Sequence, residues 1–81
     1  MLRIATTTNL SPEEAIKKAI QFFGPYGFKL EITSQTDTSA SFEGGGGSVG
    51  ITASKLNGKT SVELISHEWD FQVQEFIAII R

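Results

Sequence analysis

Asn57-Gly58 stands between two runs in which apolar and polar residues alternate: Val49, Ile51 and Ala53 before it, Val62 and Leu64 after it. Asn-Gly between alternating runs is a strong short-range hairpin signal, because both central residues of a type I′ turn need positive φ. A two-residue turn there opposes Leu56 to Lys59, and therefore Ala53 to Val62 and Ile51 to Leu64. Side chains alternate between the faces of a strand, so a slip of one residue would turn an apolar set to the wrong side. A second turn centred on Gly45-Gly46 sets Phe42 opposite Val49 and Ala40 opposite Ile51. The two turns, placed independently, put the apolar residues of three strands on one face. A further strand alternates Phe28, Leu30 and Ile32 with Lys29, Glu31 and Thr33. Pairing Ile32 with Ala40 and Leu30 with Phe42 requires an odd loop around Gln35-Thr36-Asp37, with a bulge.

The segments flanking this meander follow other periods. Met1–Thr8 alternates weakly, is rich in β-branched residues and reads as a strand. After it, Ser11 is placed to cap a helix, Pro12 fits its first position, and Glu14 completes a capping box. Ile16, Ala19, Ile20 and Phe23 then share one helical face, and Gly24-Pro25 ends the helix, with a left-handed cap open to Gly24. At the far end Trp69, Val73, Phe76, Ile77 and Ile80 form a second helical stripe. Ser66 is its candidate cap, and Glu68 and Asp70 sit where acids suit the helix dipole. The expected fold is a single α+β domain over residues 1–81, in the order β-α-β-β-β-β-α. If each element reverses direction, strand 1 runs antiparallel to strand 5. The sheet is then antiparallel and five-stranded, order 2-3-4-5-1, with two helices on one face.

That element order resembles the TATA-binding-protein-like and helix-grip classes of fold, which share β-α-β(4)-α or an enlarged version. The likeness is one of topology over essentially the whole chain, and the chain also looks like a small bacterial protein. The resemblance implies a sheet with one free face. A TATA-binding protein joins two such units and presents a basic concave sheet with phenylalanine wedges. Here the face expected to be free mixes Arg3 and Lys29 with Glu31, Glu43, Glu63 and several serines. Helix-grip binders enclose a cavity under a long final helix, whereas this final helix has about three turns.

Charge and composition narrow the function classes. Seven Lys and Arg against nine Asp and Glu give a net charge of −2 over 81 residues, so no clustered positive charge is expected to hold nucleic acid. There are no cysteines, which excludes disulfides and thiolate chemistry. No apolar run approaches the ~18 residues of a membrane span, and a cytoplasmic location without membrane contact is expected.

The most unusual run is Gly44-Gly45-Gly46-Gly47. It lacks the Lys-Ser/Thr and the following helix of a phosphate-binding loop, so a turn with close backbone packing is the leading reading and ligand contact the alternative. His67, the sole histidine, stands beside Glu68 and Asp70 but in no metal-binding spacing, so neither a metal nor a cofactor is expected. No Gly-x-Ser-x-Gly elbow accompanies the many serines and threonines, and no catalytic residue is assigned. Phe23, Phe28, Phe42, Trp69 and Phe76 read as core. Phe22, Tyr26 and Phe71 lie off the stripes, and Ile65 and Ile79 point outward. Ile65, Phe71 and Ile79 are therefore candidate interface residues. The expected function is a small non-enzymatic binding or assembly module that self-associates, with a dimer favoured. The alternative is a carrier of an unidentified small molecule, with the Gly44–Gly47 hairpin as rim, His67 as a contact and the last helix as lid.

Overall fold

The computed structural model describes all 81 residues, Met1–Arg81. The elements follow in the order β1 (Leu2–Thr8), α1 (Pro12–Phe23), β2 (Glu31–Gln35), β3 (Ser39–Gly44), β4 (Gly47–Leu56), β5 (Lys59–His67) and α2 (Asp70–Ile80). The five strands form one antiparallel sheet in the order β1-β5-β4-β3-β2. Both helices lie on one face, α1 over β3 and β4 and α2 over β5 and β1. Between them and the sheet sits a core of 16 buried apolar residues. No helix is long and apolar enough to cross a membrane.

Both tight turns form where expected, with positive φ at each central residue. Gly45 and Gly46 have φ of 59° and 81°, and Asn57 and Gly58 have 51° and 83°. The registers that these turns impose are the expected ones: Phe42 opposite Val49, Ala40 opposite Ile51, Ile51 opposite Leu64 and Ala53 opposite Val62. β1 closes the sheet against β5, with Ile4 opposite Leu64. Two threonine hydroxyls fasten the segment that leads into α1. Thr8 Oγ1 donates to the Ile80 carbonyl at 2.6 Å, and Thr60 Oγ1 donates to the Leu10 carbonyl at 2.6 Å. The first bond satisfies a carbonyl in the last turn of α2, where no following helical residue can reach it.

The β2–β3 hairpin departs from expectation. Ile32 pairs with Phe42, not Ala40, and Gln35 pairs with Ala40. The chain turns at Asp37-Thr38, where the Thr36 amide donates to the Ser39 carbonyl at 2.8 Å and the Thr36 hydroxyl contacts that of Ser39 at 2.8 Å. A turn there alone would send Ile32 to the solvent side. The bulge between Ile32 and Ser34 restores the parity, so that Ile32 and Leu30 face the helices.

Three further differences concern element ends. β2 begins at Glu31 rather than Phe28, because Lys29 takes a left-handed φ of 66° and breaks the strand. Phe28 consequently stays 41% exposed instead of joining the core. Gly24 caps α1 in an extended conformation, φ −76°, not a left-handed one. It is needed for space, since a Cβ there would lie 2.4 Å from the Ile20 carbonyl oxygen. Trp69 precedes α2 rather than joining its stripe, because Glu68 turns the chain at φ 70°. The buried Ser66 hydroxyl accepts the Trp69 amide at 3.1 Å and so secures that turn.

At the start of α1 the capping box forms. The Ser11 amide donates to Glu14 Oε1 at 3.0 Å, and the Glu14 amide donates to Ser11 Oγ at 3.2 Å. The Ser11 backbone bond, then its hydroxyl, and more weakly Lys17 and Lys18, hold the Glu14 carboxyl below its ordinary value. A depressed carboxyl contributes its stability above the unfolded pKa and loses it as pH falls through the folded one. The protection factors of amides in the first turn of α1, taken against the intrinsic exchange rate at each pH, should therefore fall on acidification below the ordinary glutamate range. Ser11→Ala should bring the Glu14 titration, followed by NMR, back up towards that range.

Candidate interaction surface

The helical layer is built from two amphipathic faces that do not fully hide one another. α1 turns Ala15, Ile16, Ala19 and Phe23 to the sheet, and α2 turns Val73, Phe76, Ile77 and Ile80. Phe22, off the α1 stripe, turns sideways towards α2. Its ring lies 5.5 Å from Phe76 and 5.2 Å from Phe28, and Phe28 in turn lies 5.7 Å from Trp69. Moving from Phe22 to Phe28 along the chain thus matches moving back from Phe76 to Trp69, so the two helices run antiparallel. Alongside these rings an open cleft of ≈ 230 Å³ is lined by Lys18, Gln21, Phe22, Phe76 and Ile79. Ile79 on its wall is 58% exposed, and Phe71 on the same helix is 70% exposed.

Ile65 does not join them. It is half-buried on the other side of the sheet, beside Gly50, and borders the shallow clefts of the free face. His67 borders one of these as well, with Glu43 and Ser48, and its side chain is exposed. Nowhere do three or more His, Asp or Glu side chains converge as a metal site would require. All buried side-chain nitrogen and oxygen atoms have hydrogen-bond partners, so the interior presents no unsatisfied group to a ligand.

The glycine run packs against protein. Gly45 lies under the indole of Trp69, where a Cβ would sit 2.8 Å from Cζ2, and Trp69 Nε1 donates to the Gly44 carbonyl at 2.9 Å. Gly47 faces the backbone of β5, where a Cβ would come 2.0 Å from the His67 carbonyl oxygen. None of Gly44, Gly45, Gly46 and Gly47 lines a cleft. Their turn is covered by the indole of Trp69, and the space beneath α2 is filled by Val62, Leu64, Val73 and Phe76.

Sequence patterning thus located the α2 half of this surface but missed the α1 half, Lys18, Gln21 and Phe22. One signal was available: Phe22 and Ile79 are both large apolar residues just off their helical stripes, and two such residues on neighbouring helices can meet.

No protein-family model matches the chain, and no curated protein sequence matches it. Among solved structures it is similar to the solution structure of the Aha1 dimer from Colwellia psychrerythraea. The TM-score is 0.60 at 10% sequence identity, over 99% of this chain and 96% of that one. At that identity the likeness is one of fold, a compact α+β arrangement. The matched structure is not a TATA-binding protein, and that part of the topological resemblance gains no support from it.

Proposed function

We propose that the chain is a cytoplasmic self-associating module that works by binding rather than by catalysis, and that its helical layer is the contact surface. The observation that carries this is the pair of exposed apolar side chains on α2, Phe71 and Ile79, with Ile79 walling an open cleft that continues into the rings of Phe22 and Phe76. Fully burying a large apolar side chain contributes roughly 1.5–3 kcal/mol, a substantial gain for so small a domain. That a protein of the same fold is described as a dimer agrees with this reading.

Sedimentation equilibrium tests it. The apparent mass of the wild-type chain should rise with concentration, and Ile79→Glu combined with Phe71→Ser should abolish the rise while leaving the far-ultraviolet circular dichroism unchanged. A wild-type chain that stays monomeric at high concentration overturns the proposal. A small molecule retained in the native mass spectrum of such a monomer would favour the carrier instead.

A further inference from the structure

We propose that the self-association is a two-fold dimer in which each α2 lies on the partner's α1, with Glu75 set against the partner subunit's Lys18. This rests on the helical layer being the contact surface; what it adds is the arrangement of the partner and its response to salt.

Two kinds of two-fold axis can bury the same layer face to face. An axis across the helices stacks each helix on its own copy. An axis along the helices stacks α2 on α1 and α1 on α2. The exposed charges distinguish them. Beyond its first turn, α1 presents Lys17 and Lys18, and the exposed charge on the middle of α2 is Glu75. Stacking like on like would set Glu75 against a second Glu75 and the lysine pair against its copy. Stacking α2 on α1 sets acid against base in both halves of the interface.

The axial positions fit as well. An axis along the helices leaves every residue at its own height. Phe22 and Phe76 are level, their rings 5.5 Å apart. Glu75 adjoins Phe76, and Lys18 lies one turn from Phe22, about 6 Å along the axis, which a lysine side chain spans. Ile79 then comes over the aliphatic stem of the partner subunit's Lys18, beside which it already stands within one chain. Phe71, one turn beyond Glu75 in the other direction, reaches the end of the partner's α1, where Tyr26 is 99% exposed. Each ion pair is thus flanked by apolar contacts that shield it from water.

Sedimentation equilibrium on five chains tests this arrangement: wild type, Lys18→Glu, Glu75→Lys, the double reversal, and Glu75→Gln. All the changed positions are exposed, and circular dichroism verifies that each variant folds. Each single reversal should weaken association about ten-fold, since it turns two attractions into two repulsions. The double reversal should restore wild-type association, and Glu75→Gln should weaken it. Raising salt from about 0.1 M to about 1 M should weaken the wild-type dimer. A Glu75→Gln chain that associates more tightly overturns the proposal in favour of like-on-like stacking. A double reversal that remains weak overturns it while leaving self-association standing. A wild-type chain that never associates overturns both.

Discussion

Phe23→Ala should cost about 3–5 kcal/mol in denaturant unfolding. Phe23 is fully buried at the end of α1, and its ring lies 5.7 Å from Phe42 on β3 and 5.5 Å from Phe76 on α2. It is thus a side chain by which both helices and the sheet touch one another, and alanine would leave a void walled by three separate elements. A domain of this length has a total stability of roughly 4–12 kcal/mol, so the variant should be marginal or unfolded at room temperature. Phe71→Ala, which removes the same ring from a largely exposed position, should change monomer stability by less than about 0.5 kcal/mol. A Phe23→Ala loss below about 1 kcal/mol would mean that the three elements close over the void, contrary to the packing described.

Gly47→Ala should destabilise the fold by about 3 kcal/mol, the upper end for overpacking. The added methyl would meet the His67 carbonyl oxygen at 2.0 Å and the Glu68 Cβ at 2.7 Å, where neither neighbour is a flexible side-chain end. Relief requires β4 to move off β5 at the pair Ser48–His67, which also disturbs the turn leading to Trp69. Gly46→Ala is the control. Nothing lies within 4 Å of a Cβ there, so only the left-handed φ of 81° is penalised, at about 1 kcal/mol. Urea titrations followed by Trp69 emission should separate the two. Because Gly47 has no left-handed φ, a loss no larger than that of Gly46→Ala would show that β5 yields to the added methyl, contrary to the packing described.

These two sites also show how far the sequence can be read. The β3–β4 and β4–β5 registers were legible because each turn demanded positive φ at two adjacent residues and each strand had a single apolar parity. β2 lacked both aids. Its turn at Asp37-Thr38 is held by side-chain and backbone bonds of Thr36 and Ser39, and a bulge cancels the parity error that the turn creates. Two compensating irregularities leave no trace in alternation. Phe71 and Ile79 could be placed on the outer surface of α2 from helical spacing alone. Which flank of α2 meets α1 depends on how the helices sit across the sheet, so the cleft shared with Phe22 and Lys18 emerged only in three dimensions. The glycine run was conspicuous in sequence, but its cause, the indole of Trp69 and the carbonyl of His67, lies about twenty or more residues downstream.

The position of β1 also shapes the route by which the chain folds. β3, β4 and β5 meet through tight turns between neighbours in sequence, so their contacts close small loops and can form early. β1 must instead find β5 after all the intervening chain has been made, and its ladder, Leu2 opposite Ser66 through Thr8 opposite Thr60, joins the two ends of the molecule. The bond from Thr8 to Ile80 then latches the last turn of α2 onto that strand. The meander is thus the natural nucleus and β1 a late arrival. Substitutions in β1 will accordingly act on the rate of unfolding, and those in the meander on the rate of folding.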